Sequence, residues 1–361
     1  MDPVYSVLSL SLITKHRWKS ITLESDNKSI LSIPKELELS NLEILESFSL
    51  ATRFYEHHST SPRLSDALRY APKLKTLSLC AEYHVAFDTL PFPWRQITCL
   101  TITLYDQSNN TADILRACVN LEEFIIDGNC DGSVGSEPIT LNHLRKLHTH
   151  CIHNTFLSSL KTPSIQDFAV KASEIKYLPF AGGDAVYNYI KKNGSTLLKL
   201  SIAPVPHDGF VQIIPYLRSL VELKLYDSDY DNDGSIKIHK ILRSLVVKPE
   251  MDPSTIPLPR LEGLEILCQA IEKNQRTFME VLESRWWSDE EENARQKQGQ
   301  RSLSRIKRSV LLNVHTELNN FCRVKADALR TEGMNIEYLA PFDGMDEDDF
   351  YTTSYYNYYT Q

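Results

Sequence analysis

One short phrase recurs along the chain: an apolar residue, two variable residues, an apolar residue, one variable residue, an apolar residue. It reads Trp18-x-x-Ile21-x-Leu23, Leu45-x-x-Phe48-x-Leu50, Leu74-x-x-Leu77-x-Leu79, Ile97-x-x-Leu100-x-Ile102 and Leu121-x-x-Phe124-x-Ile126. It continues as Leu144-x-x-Leu147-x-Thr149, Ile165-x-x-Phe168-x-Val170, Leu197-x-x-Leu200-x-Ile202, Leu220-x-x-Leu223-x-Leu225 and Leu261-x-x-Leu264-x-Ile266. Successive starts lie 27, 29, 23, 24, 23, 21, 32, 23 and 41 residues apart. Most of these intervals fit the leucine-rich-repeat period of about 20–29 residues, and the longer ones leave room for insertions. In a strand the side chains alternate between faces, so the second and third apolar residues point into one core. The first closes the turn that leads into the strand. No single strand of this kind can bury its apolar side, but a stack of them forms a continuous parallel sheet.

Helical spacing fills the gaps between phrases. Pro62–Ala71, Asp113–Cys118 and Gly209–Leu217 are examples, with Pro215 expected to end or kink the last. The expected fold is therefore α/β: a leucine-rich-repeat solenoid of about ten to twelve irregular repeats. Its curved parallel sheet would line the concave side and its helices the convex side. The solenoid is expected to span residues 1–340, interrupted by a charged insertion at about 288–302. A tail, 341–361, is acidic and rich in tyrosine, without a repeat phrase, and reads as disordered or loosely docked.

Composition narrows the function. The 361 residues carry a formal charge of −8. Seven acidic residues and no Lys or Arg follow Arg330, which leaves −1 on residues 1–330. A body so nearly neutral leaves room for a local basic patch, and what opposes nucleic acid is the mixed sign of the residues that face outward from the sheet. No G-x-G-x-x-G, G-x-x-x-x-G-K-[ST] or G-x-S-x-G occurs, and no nucleophile, base and orienting group can be assembled from the spacings. A non-enzymatic protein without a cofactor is expected. Seven cysteines (Cys80, Cys99, Cys118, Cys130, Cys151, Cys268 and Cys322) are an odd number with no C-x-x-C pair. They read as reduced thiols in a cytoplasmic or nuclear protein. No apolar stretch reaches the length of a membrane span.

Several segments resemble a known family. The run from Asp2 to Leu23, with Asp-Pro-Val-Tyr, His16-Arg-Trp18 and Ile-Thr-Leu, is similar to the region after the F-box in leucine-rich-repeat F-box-like proteins of mushroom-forming fungi. Pro93-Trp-Arg-Gln-Ile-Thr-Cys-Leu-Thr-Ile102 resembles that family's central repeat. Leu282-Glu-Ser-Arg-Trp286 and Asp327–Ile336 resemble its last two repeats. The resemblance implies the substrate-recognition part of an F-box-type ubiquitin ligase receptor, or an F-box-less relative of one. The sequence shows no F-box helices before Asp2, so a Skp1-type adaptor is expected as partner only if an F-box lies outside this chain.

The repeat geometry nominates the binding surface. Variable positions flanking the inward residues face outward, and the later strands carry charge of both signs there. Glu123, Lys146, His148, His150, Asp167, Lys199, Glu222 and Lys224 are the candidate protein-binding residues. A mixed-sign face suits a protein target better than a nucleic-acid backbone. The alternative is metal-dependent binding at one of two places. His143, His148, His150 and His153 form a histidine cluster over residues 143–153. The loop 229–234 places Asp229, Asp231, Asp233 and Gly234 as in the first half of a calcium loop, but Lys240 stands where the bidentate Glu belongs. At the adjacent Trp286 and Trp287, at least one ring is expected to pack the last repeats.

Overall fold

A computed structural model describes residues 18–25, 42–52, 68–81, 92–104, 111–128, 137–150, 154–171, 183–203, 209–226, 234–248, 250–252, 254–267, 272–287, 290, 303–312 and 318–339. The charged insertion, the Asp-rich stretch 229–233, His153 and the tail lie outside these residues, apart from Glu290. Every repeat phrase becomes a strand. These are β1 (Ser20–Ser25), β2 (Ser47–Thr52), β3 (Thr76–Ala81), β4 (Cys99–Leu104), β5 (Glu123–Gly128), β7 (Lys146–His150), β9 (Asp167–Lys171), β10 (Lys199–Ala203), β11 (Glu222–Tyr226) and β12 (Gly263–Leu267). Two more strands follow, β13 (Arg308–Leu312) and β14 (Asn335–Leu339). These twelve strands belong to a parallel sheet in chain order, the solenoid expected from the phrase. A separate short pair joins β6 (Ile139–Thr140) to β8 (Leu160–Lys161).

The chain divides into two compact units, Met1–Tyr189 and Ile190–Gln361. In the first, pairing is in register, so each repeat position stacks on itself. Ile21, Phe48, Leu77, Leu100, Phe124, Leu147 and Phe168 form one inward row. Leu23, Leu50, Leu79, Ile102, Ile126, Thr149 and Val170 form the next. From Phe48 and Leu50 onward both rows are buried. The second unit repeats the arrangement with Leu200, Leu223, Leu264, Ser309 and Ile336, then Ile202, Leu225, Ile266, Leu311 and Tyr338. Each large apolar side chain buried this way is worth about 1.5–3 kcal/mol.

The approach to each strand is equally regular. The first apolar residue of the phrase donates its N–H to the carbonyl three residues earlier: Leu45 to Leu42, Leu74 to Ala71, Leu121 to Cys118, Leu144 to Leu141, Leu220 to Leu217 and Leu261 to Leu258. Those earlier residues are themselves buried, so the true repeat carries one more inward position than the sequence phrase. One carbonyl before each strand then accepts two successive N–H groups of the next repeat. Lys19 serves Glu46 and Ser47, Glu46 serves Lys75 and Thr76, and Val221 serves Glu262 and Gly263. Buried backbone groups are thereby satisfied without side-chain help.

Helices close the other side of the repeats. They are α1 (Thr111–Ala117), α2 (Asn154–Ser159), α3 (Gly183–Asn193), α4 (Phe210–Ile213), α5 (Gly234–Leu245), α6 (Glu272–Ser284) and α7 (Asn320–Thr331). Apolar stripes such as Ile114 with Leu115, and Phe278 with Val281 and Leu282, are buried. Pro215 acts as expected: α4 ends at Ile213 and a 3-10 turn, Ile214–Tyr216, takes over. Gly194 is required sterically, because a Cβ there would lie 2.7 Å from the Ile190 carbonyl and 2.8 Å from that of Tyr216. None of the described helices is long and apolar enough to cross a membrane.

Two buried polar groups repair departures from the pattern. The long connection before β12 regains register at Leu258, which is buried and holds φ at 42°, a strained value for a branched residue. Arg285, fully buried at 0% exposure, clamps that place. Its Nε donates to the Leu245 carbonyl at the end of α5, Nη1 to Leu258 at 3.1 Å and Nη2 to Pro257. Burial pulls its pKa down to about 10, so it stays charged at neutral pH. In the first unit, Thr162 stands at the extra inward position ahead of β9, and its hydroxyl pairs with the buried Tyr189 hydroxyl. Trp287 is also buried, while Trp286 donates from Nε1 to Glu332 and lies under the Arg305 guanidinium.

Replacing Arg285 by Met should leave three carbonyls stranded and cost about 3 kcal/mol or more in denaturant unfolding, with Arg285→Lys recovering part of the loss. Burial also pushes the Cys118 thiol from 9.0 up to about 12 and raises the Tyr189 phenol in the same sense. Both groups are acids whose folded-state values lie above their unfolded ones. Their stabilisation is therefore complete below pH 9.0 and is lost for Cys118 as pH climbs from 9.0 to about 12. Unfolding free energies measured across that window should fall, and less steeply for Cys118→Ala. Iodoacetamide at pH 8 should modify Cys118 only after denaturation.

Candidate functional site

The outward face of the sheet is built from the same register. In the first unit one column reads Ser20, Ser47, Thr76, Cys99, Glu123, Lys146 and Asp167; the next reads Thr22, Ser49, Ser78, Thr101, Ile125, His148 and Ala169. Strands β2–β4 thus present small uncharged groups, partly or fully exposed. In the second unit the columns read Lys199, Glu222, Gly263, Arg308 and Asn335, then Ser201, Lys224, Glu265, Val310 and Glu337.

The nominated charges are not free. Lys146 Nζ lies 3.7 Å from Glu123, and His148 Nε2 lies 3.2 Å from Asp167. Lys199 pairs with Glu222 at 3.2 Å and Lys224 with Glu265 at 3.1 Å. Outside the nominated set, Lys307 meets Glu262 at 2.9 Å and Arg308 meets Glu337 at 3.5 Å. Each pair bridges neighbouring repeats. The first unit therefore places Glu123, Lys146, His148 and Asp167 on adjoining strands, and the second unit does the same for Lys199, Glu222 and Lys224. His150 ends β7, and its side chain is outside the described residues.

Glu265, the most buried charged residue of this face, was not among the nominated residues. The residue is 4% exposed, and its carboxylate accepts from the Tyr226 hydroxyl at 2.6 Å as well as facing Lys224. The alternation of the strand marks Glu265 and Tyr226 as outward, but sequence gives no sign that this part of the face is buried. Ser201, Tyr226, Leu267 and Val310 are buried there too. Around Gly263 the second unit's face sinks into a depression of about 210 Å³.

The metal readings gain nothing from this geometry. His143 is exposed on the turn before β7, whereas His148 projects from the strand onto Asp167. Among the described residues no group of three or more His, Cys, Asp or Glu side chains could hold a metal ion. The 229–233 loop lies outside them, and Gly234 begins α5. The described cysteines, Cys80, Cys99, Cys118 and Cys322, form no disulfide.

No family model matches the chain. No curated protein matches it significantly. Among solved structures it is similar to a Bacteroides fragilis protein determined by a structural genomics consortium, with 11% identity, 91% of this chain and 75% of that one covered, and a TM-score of 0.42.

Charge pairs of different burial should respond differently to truncation. Lys146→Met removes an exposed partner and should cost well under 1 kcal/mol. Lys224→Met strands the buried Glu265 carboxylate and should cost about 3 kcal/mol. Urea unfolding of both variants at neutral pH compares them directly.

Proposed function

We propose that the protein is a protein-recognition module that binds its target on the outward face of the sheet. The observation that carries this reading is the strand-by-strand register of that face, which sets small hydroxylated positions on β2–β4 beside the Glu123–Lys146 ion pair and the His148–Asp167 contact on β5, β7 and β9. A regular, uncharged strip of hydroxyls can hydrogen-bond a peptide or loop without forcing it to carry a particular charge. The neighbouring cross-strand pairs give no long run of one sign, as a phosphate backbone would require.

Within this reading the protein is the substrate-recognition part of an F-box-type ubiquitin ligase receptor, or an F-box-less relative. The resemblance of Asp2–Leu23 and Pro93–Ile102 to leucine-rich-repeat F-box-like proteins supports that role. The sheet would hold the target, and a Skp1-type adaptor would join only through an F-box outside this chain.

Cross-linking of the full chain in its source cells, read by mass spectrometry, should identify a reproducible protein target. Ser78→Arg and Thr101→Arg project a long side chain from the hydroxylated strip, and each should reduce target recovery at least about tenfold, a ~1.4 kcal/mol effect. Their melting temperatures should stay within a few degrees of the parent. A target whose recovery ignores both substitutions, or no reproducible target at all, would sink the reading.

A further inference from the structure

In the second unit the outward column Lys199, Glu222, Gly263, Arg308 loses one tooth, because Gly263 brings no side chain. The 210 Å³ depression lies over that gap, between Glu222 and Lys224 on β11 and Arg308 and Val310 on β13. Ligand pockets for small molecules usually start near 300 Å³, so this slot is sized for a single side chain. We propose that the Gly263 slot seats one neutral aromatic side chain, Tyr or Trp, of the protein target. The proposal rests on the recognition reading above and names its anchor.

Nothing in the backbone asks for glycine here. Gly263 is not among the positive-φ residues, and an added Cβ would meet only the flexible Glu222 Cγ at 3.3 Å and ordinary contacts beyond it. A glycine inside a strand weakens it, yet permits close approach of another group to the sheet. An aromatic ring can cover the backbone that a sheet glycine leaves bare, as it does for edge glycines.

The charges around the slot favour a neutral occupant. Glu222 is paired with Lys199, Lys224 with Glu265 and Arg308 with Glu337. A charged side chain would have to draw one of these groups away from its partner. A ring needs no such exchange. It would lie against buried Val310 and the stem of Lys224, with the half-exposed Arg308 guanidinium over its face. An aliphatic side chain would fill the same space but gain nothing from Arg308.

The test is an NMR titration of the ¹⁵N-labelled full chain with N-acetyl-tyrosinamide and N-acetyl-tryptophanamide, alongside the leucine and arginine amides. The aromatic probes should give saturable shifts at the Gly263 and Arg308 amides. Gly263→Val fills the slot with a residue suited to strands, so its melting temperature should hold or rise while aromatic binding falls at least about tenfold. Gly263→Ala, the smaller change, should weaken it less, and Arg308→Gln should also weaken it. Equal shifts from the leucine amide, shifts that survive Gly263→Val, or no shifts would overturn the proposal. Cellular target recovery that is lost in Ser78→Arg but intact in Gly263→Val would leave the recognition reading standing and remove this anchor.

Discussion

In-register parallel pairing is the constraint from which the other features follow. When strands pair without stagger, each position of one repeat lies about 4.8 Å from the same position of the next. Apolar positions then form ladders such as Phe48, Leu77, Leu100 and Phe124, whose burial holds the repeats together. The carbonyl that accepts two N–H groups ahead of each strand keeps the spacing constant from repeat to repeat. Helix length and loop length can vary, because neither enters this contact. That tolerance explains how intervals from 21 to 41 residues coexist in one architecture.

The same stacking disciplines the polar face. Like charges at about 5 Å would repel by roughly 3 kcal/mol at an effective dielectric of 20. Neighbouring strands therefore alternate: Glu123, Lys146 and Asp167 in the first unit, and Lys199 and Glu222 in the second. What looks in sequence like a surface prepared for a charged partner is, strand by strand, a set of pairs closed on themselves. Exposed pairs add little stability. Their main consequence is to keep the face neutral.

The fold was legible because its core signal is one-dimensional. Ten phrases announced ten strands, and the turn role of the first leucine was readable from spacing alone. Two further strands, within the expected ten to twelve repeats, do not carry the phrase. In β13 a buried serine, Ser309, occupies the apolar row, and its hydroxyl has no hydrogen-bond partner among the described residues. Before β14, Gly333 at φ 100° stands where the phrase has its first apolar residue. The extra inward position three residues before each phrase was also missed, because Leu42, Ala71, Cys118, Leu141 and Thr162 share burial rather than residue type. Side chains acting across long separations were invisible for a different reason. Arg285 reaches carbonyls 27 to 40 residues away, and Tyr226 meets Glu265 across 39 residues. No local pattern encodes either contact.

The two kinds of polar surface differ in what recognition costs. A partner that engages Lys146 or Lys199 must replace an existing ion pair, and one that engages Asp167 must replace its contact with His148, so its gain is the difference between two similar interactions. The hydroxylated positions Ser49, Ser78 and Thr101 carry no charge to be displaced, and a bound main chain can exchange water for them at little loss. Discrimination by the charged strands is then chiefly exclusion: a ligand with the wrong sign breaks a pair and leaves a group without its partner. Affinity has to come from uncharged contacts, the hydroxyl strip and any apolar group that the face can bury. Among the charged columns, the second unit's missing side chain at Gly263 opens such a place without disturbing any pair beside it.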